Sequence, residues 1–286
     1  MQQLSQRTPI SVFTDAATGN SPSLASLHPA PRHIFVLWQR FVDQVNPLTK
    51  IVHVPTLQPR VLEASGNPDA IQPSLHALLF VIYTLSVTSM SQKECEAQLG
   101  DPKATLMTLY RTATLRALVA ADVLVTRDLE VLQALVLFLL SDPESDLTHS
   151  LTGVAMRLGQ RMGLNHVDTS GKISVFEQEM RIRLWWPLCA LAGRANSGLV
   201  QGQPNGNVHA AALKTALLEL GDLRTPLNVN DADLHPDMAE LPVESTSSTE
   251  MLCVRMKFEF GSWVRSSPAT AQMFESVVES IYLSLQ

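Results

Sequence analysis

Apolar side chains return at three- and four-residue steps along most of this chain, the spacing of one buried helix face after another. Ile34, Leu37, Trp38, Phe41 and Val45 predict a first helix. Asn46-Pro47 is expected to stop it, because a residue before proline is pushed out of the helical region. Thr49 to Pro59, pinned by Pro55 and Pro59, reads as extended or loop-like. Pro73 can open the next helix at its first turn, and Leu75, Leu78, Leu79, Ile82 and Leu85 give that helix a broad buried stripe. Asp101-Pro102 predicts another start, a capping carboxylate before a first-turn proline, for a helix carrying Leu106, Leu109, Tyr110, Ala113 and Ala117. Asp128 stands early in a further helix with Leu132, Leu135, Val136 and Leu139. Periodicity resumes at Leu151, Val154, Leu158 and Met162, with Gly163 as the C-cap. Ser174-x-x-Glu177 is a capping box ahead of Met180, Leu184, Leu188 and Leu191.

Beyond that helix, Asn196 to Asn207 is glycine-rich and reads as a loop. Asp222 to Ser248 is proline-punctuated, acidic and expected to be irregular. A last helical stretch, Glu250 to Arg265, carries Met251, Val254, Phe258 and Trp263. No strand-like alternation interrupts the series, so the expected fold class is all-α: an irregular multi-helix domain of packed helical hairpins over residues 32–265. Residues 1–31, rich in Ser, Pro, Thr and Ala, are expected to form a flexible tail, and residues 266–286 a C-terminal tail or partial helix.

Composition narrows the function classes. A chain of 286 residues with 45% hydrophobic and 17% charged side chains can bury a sizeable core. Its net charge of −6 argues against binding nucleic acid by neutralising phosphates over the whole chain. The greasiest runs, Leu75 to Met90 and Leu129 to Leu140, carry polar residues or are too short to span a bilayer, so no membrane partner is expected. Cys95, Cys189 and Cys253 lie far apart, which suits buried thiols in a reducing compartment and gives no metal-ligand spacing. No cofactor motif is found. Ser170-Gly171-Lys172-Ile173-Ser174 lacks the upstream glycine of a phosphate loop, with His166 in its place, and has Ile173 where the magnesium-binding hydroxyl would stand.

The candidate chemistry is sparse. Arg157 and Arg161 lie four apart on one helix, and Arg181 and Arg183 stand on the next beside Trp185 and Trp186. These six could form a patch for an anion, an effector or a partner, since the guanidinium fork grips carboxylate and phosphate. The plainer alternative is a solvated basic face or internal pairing with the acidic stretch Asp231, Asp233, Asp237, Glu240 and Glu244. The two tryptophans point about 100° apart, so at most one faces the deepest core. His53, in the apolar stretch Val52-His53-Val54, reads more readily as a satisfied structural histidine than as a catalytic one. An enzymatic alternative would nevertheless use His53 or His166 with a carboxylate and no cofactor.

Four segments then carry a resemblance. They are Leu37-Trp38, Phe41 and Val45-Asn46-Pro47-Leu48 continuing to Lys50, Ile51, His53, Pro55 and Thr56; Leu151 to Ala155 with Gly159 to His166; Phe176-Glu177 with Glu179 to Trp186; and Pro226 to Met238. In this order they resemble the middle homology region of fungal zinc-cluster transcription factors, over roughly residues 30 to 265. The resemblance implies an all-helical, non-catalytic regulatory domain acting in the nucleus, often on secondary-metabolite or nutrient genes. It also implies a Cys-rich zinc cluster N-terminal to the domain, which these 286 residues do not contain. The expectation is therefore a regulator or co-regulator that meets DNA only indirectly and acts by binding another regulator or a small-molecule effector, with a homodimer as the alternative partner. The stretch before Leu151 and the one after Trp186 depart from the family pattern, and a remnant regulator without function stays open beside the helical enzyme and a ligand-free scaffold.

Overall fold

The computed structural model describes residues 22–168, 171–198 and 224–266. The helices are α1 Pro31–Arg40, α2 Asn46–Thr49, α3 Val54–Gly66, α4 Pro73–Ser89, α5 Gln92–Leu99, α6 Lys103–Ala120, α7 Leu129–Leu140, α8 Asp146–Arg161, α9 Val175–Gly198 and α10 Leu252–Ser266. No strand occurs among the described residues, and the fold is all-α.

The sequence of α4 makes it the axis of the domain. It is apolar on every face and buried from Leu75 to Val87, and such a helix is stable only when neighbours surround it. Helices α1, α6 and α7 do so. Its polar side chains turn inward to carbonyls: Ser86 Oγ lies 2.8 Å from Ile82 O and 2.7 Å from Leu37 O in α1. Thr84 Oγ1 bonds Phe80 O at 2.9 Å and meets Thr114 Oγ1 of α6 at 3.3 Å. At its C-terminal end Lys103 Nζ donates to the carbonyls of Thr88 and Met90 at 2.9 and 2.6 Å, a cation placed against the negative helix end. Helices α8 and α9 pack on each other and on α7 as a further layer. None of the helices among the described residues is long and apolar enough to cross a membrane.

Proline misleads the sequence reading twice. Asn46-Pro47 does not end the first helical stretch. The chain passes from α1 into a π-turn, Phe41–Val45, and Pro47 sits in the first turn of α2. The halt comes at Lys50, in the left-handed region with φ 47°. Nor is Thr49 to Pro59 extended throughout: Pro55 takes the first turn of α3, where no N–H is needed, and Pro59 is carried inside that helix. Pro102, not Asp101, takes the N-cap position of α6. Helix α5 was not anticipated, although Ser91 and Glu94 make a reciprocal capping box at its start and Gly100 closes it at φ 84°. Residues 196–198, expected in a loop, are the end of α9, and the rest of that stretch lies outside the described residues, as do 1–21 and 267–286.

The described part of the expected N-terminal tail is tied down. The Pro22 carbonyl accepts from Arg116 Nη2 at 2.6 Å. His28 stacks on Phe80 at 4.4 Å, meets His76 Nδ1 through Nε2 at 2.8 Å and lies 3.2 Å from the Tyr83 hydroxyl through Nδ1. Burial and the neighbouring His76 lower the His28 pKa from 6.5 to about 4. A depressed histidine stays neutral in the folded chain while the unfolded chain takes up a proton, so stability present above pH 6.5 is lost as pH falls from 6.5 to about 4. The expected loss is about 2 kcal/mol, less than the full shift because the ring is part-exposed. Urea titrations across this window should show that slope in the native chain, and it should flatten in His28→Gln. An equal slope in the variant would assign the effect elsewhere.

Candidate functional site

Three distant parts of the sequence converge on one buried charge cluster. The first is the end of α2. The left-handed turn at Lys50 directs an ammonium inward, with only 3% of the side chain exposed. The second is one face of α9, where Glu179 and Arg183, four residues apart, are both fully buried. The third is the irregular stretch 224–251, called the strap below, whose short helical turn Asp231–Asp233 presents the buried Asp231.

Asp231 is the hub. One carboxylate oxygen accepts from Arg183 Nη1 at 2.7 Å and the other from Lys50 Nζ at 3.0 Å. Burial alone would raise the Asp231 pKa, but the charges and hydrogen bonds of Arg183 and Lys50 hold it below the ordinary carboxylate range. Arg183 Nε also reaches Glu179 Oε1 at 3.2 Å, and the same oxygen accepts the Leu227 amide at 3.0 Å. Glu179 Oε2 lies 2.7 Å from Arg224 Nη1 but makes no well-aligned hydrogen bond, so that contact is ionic. Glu250, at the rim, takes a second hydrogen bond from Lys50. Lys50, Arg183 and Arg224 thus face Asp231, Glu179 and Glu250, a charge-balanced set. Balance decides whether such a cluster is tolerable, since an unpaired buried charge costs several kcal/mol.

The strap holds its own shape. Asn228 donates to the carbonyls of Ser245 and Ser247 at 2.7 and 2.9 Å and accepts from Thr249 Oγ1 at 2.8 Å, folding the two arms together. Leu227, Val229 and Leu234 form a small core against Phe176. His53 Nε2 bonds the Asp231 carbonyl at 2.8 Å, and its Nδ1 faces the Thr56 hydroxyl at 3.1 Å. Burial lowers the His53 pKa, so its ring is neutral near pH 7. The histidine is a positioning group for the strap; neither nitrogen is bonded to a carboxylate. His166 Nε2 lies 3.0 Å from the Asn165 amide nitrogen.

The six residues of the expected patch go to separate places. Arg157 is exposed. Arg161 donates to Thr126 O at 2.7 Å. Arg181 is taken up by Glu177 at 2.9 Å and by Met162 O at 2.8 Å. Arg183 is in the cluster, paired with Asp231 as the internal alternative required. Trp185 is fully buried against Gly159, where an added Cβ would stand 2.8 Å from its ring. Trp186 is half-buried, its ring 4.2 Å from Phe258 and its N–H 3.4 Å from the Arg224 carbonyl. Arg183 and Trp185 therefore have no surface to offer a ligand, and the six do not make one patch. Sequence reasoning missed Lys50, Glu179, Arg224 and Glu250 as members of the cluster. The apolar run around Lys50, Leu48 to Val52, was the available sign of burial.

Comparison with known proteins adds the context. The fungal specific transcription factor domain matches residues 38–188. The aurofusarin cluster transcription factor aurR2 of Gibberella zeae is 39% identical over 85% of this chain and 35% of its own length. Transcriptional regulator AacuB of Aspergillus aculeatus is 40% identical over 86% of this chain and 32% of its own. The pyriculol/pyriculariol biosynthesis cluster transcription factor 1 of Pyricularia oryzae is 36% identical over 91% of this chain and 34% of its own. The chain spans about a third of the length of these curated relatives. No solved structure matches it.

Proposed function

We propose, for a chain that belongs to the fungal specific transcription factor domain family, a role in regulating transcription of a secondary-metabolite gene cluster in the nucleus. The observation that carries it is the similarity to three transcription regulators, two of them named for biosynthetic clusters, each aligned along more than four-fifths of this chain. On this reading the domain is a non-catalytic regulatory body, and the ion cluster clasps the strap to it. Its contact with DNA runs through another regulator, because a net charge of −6 gives little attraction for phosphates. The family residues Lys50, Glu179, Arg183 and Asp231 serve shape rather than chemistry.

Deleting the gene and measuring transcripts of its neighbours tests the role. A coordinated several-fold change across adjacent biosynthetic genes is expected, together with nuclear fluorescence of a tagged chain. Unchanged neighbouring transcripts under conditions where the gene is expressed would overturn the role.

A further inference from the structure

Beside the ion cluster lies a cleft of about 260 Å³ that the clasp does not occupy. It opens between the His53 turn, α3, α4 and the first turns of α7 and α9. This is just below the usual size of a small-molecule site, enough for a compact ligand. Leu57, Leu78, Phe176 and Met180 supply apolar wall.

The polar wall has a definite bias. Gln133 spends its amide nitrogen on the Ile51 carbonyl at 2.8 Å, which leaves its amide oxygen as an acceptor. Asp128 Oδ1 caps α7 through the Glu130 amide at 2.8 Å, and its other oxygen remains an acceptor. Glu177 is bonded to Arg181, which lies outside the cleft wall. The one guanidinium in the wall, Arg60, is engaged by both oxygens of Glu130. His53 donates to the strap rather than into the cleft. The wall therefore offers acceptors in excess of donors, and carboxylates outnumber the single paired cation. An anion is disfavoured there, while a neutral donor gains hydrogen bonds without stripping a charge of water.

We propose that this cleft binds a small, uncharged, hydroxyl-bearing molecule with a flat apolar body, and that its occupancy steadies the strap. The apolar body would lie along Phe176, Leu57 and Met180, with its hydroxyls toward Gln133 and Asp128. The link to the strap is His53. One edge of this ring stands in the cleft wall against Phe176, at 5.0 Å between centroids, while its Nε2 holds the Asp231 carbonyl. Phe176 also packs on Leu227, Val229 and Leu234 of the strap. The inference concerns binding and holds whatever genes the protein regulates.

The test uses the full chain with methyl-¹³C methionine, the Met180 signal being identified by its loss in Met180→Leu. Resorcinol, benzoate and benzylamine serve as the neutral, anionic and cationic probes. Resorcinol should move the Met180 methyl signal saturably, with benzoate at least about tenfold weaker. Cross-relaxation should connect resorcinol ring protons to Phe176, a readout that needs no variant. Leu129→Trp, which adds an indole to the cleft wall, should abolish the shift in a chain that still unfolds cooperatively. Amide exchange at Leu227 should slow several-fold at saturation. Non-saturating or equal shifts for all three probes, tighter binding of benzylamine than of resorcinol, or cross-relaxation to residues outside the cleft would each overturn the site. Unchanged exchange at Leu227 would overturn its coupling to the strap.

Discussion

Arg183→Met is expected to cost about 3–5 kcal/mol of folding stability. The methionine fits the fully buried slot, but it leaves the cluster with three carboxylates and two cations. Asp231 loses its 2.7 Å partner and Glu179 its 3.2 Å partner, both out of reach of bulk water. Lys50 stays with Asp231 and Arg224 with Glu179, but Glu250 also draws on Lys50, so one negative charge is left unbalanced. For a domain whose total stability is about 5–15 kcal/mol, this is a large fraction. Urea unfolding should show a midpoint displaced to low denaturant, with the strap the first part to exchange its amides. Adding Glu179→Leu and Asp231→Leu to Arg183→Met should recover part of the loss, because apolar side chains then replace the three most deeply buried charges on α9 and the strap together, with Lys50 still paired to Glu250. A single Arg183→Met as stable as the native chain would mean that the cluster contributes nothing to the fold.

The second large effect lies where α8 crosses α9. Trp185→Ala removes a fully buried indole and should cost about 3–5 kcal/mol. The facing residue sharpens the test. A Cβ at Gly159 would stand 2.8 Å from the Trp185 ring, so Gly159→Ala should destabilise by about 1–3 kcal/mol despite the better helix propensity of alanine. Gly153, in the same helix, has open space around its missing Cβ, and Gly153→Ala should stabilise by about 0.5–1 kcal/mol. Opposite signs for the two substitutions, read by thermal or urea unfolding, are the expected result. Pairing Gly159→Ala with Trp185→Phe should return part of the loss, since the smaller ring yields the space and its replacement removes an indole N–H that is buried without a partner. Matching signs at 153 and 159 would show that the two helices are not in this close contact.

These residues show where sequence reading succeeds. Periodicity placed α4, α6, α7 and the body of α8 and α9, because a buried helix repeats its apolar face at a fixed angle. It anticipated that one tryptophan of Trp185-Trp186 faces the core, and the structure puts Trp185 there. Asp128 accepts the Glu130 amide as the N-cap of α7. Gly163 closes α8 at φ 74° with the Leu164 N–H returned to the Gly159 carbonyl, as the C-cap reading required. Proline rules failed at Pro47 and Pro55 because each occupies a first helical turn, where the missing N–H costs nothing, and at Pro59 because the helix carries a proline in its interior. The polar helix α5 has too few apolar positions to show a stripe, and only its capping box could have announced it.

The ion cluster was less legible for a different reason. Arg183 and Glu179 share a helix face by simple spacing, but Asp231 arrives from a strap with no periodicity. Pairing within the chain was one of two open readings of the arginines, and no property of Arg183 alone separates it from Arg157, which is exposed. The ordered motifs were informative for the same reason: they bring Lys50, Glu179, Arg183 and Asp231 to one place. Sequence spacing alone could not reveal that meeting.

The left-handed turn at Lys50 also has a consequence in time. Its partners are 181 and 200 residues further along the chain. At a synthesis rate of about 5–20 residues per second, Asp231 follows Lys50 onto the growing polypeptide by about 10–40 s. Within that interval α1 to α4 are completed and can associate through local contacts before the carboxylate partners of Lys50 exist. Closure of this long loop is therefore a late event in the birth of the molecule, and a nascent chain halted before Asp231 would present the face that the strap later covers.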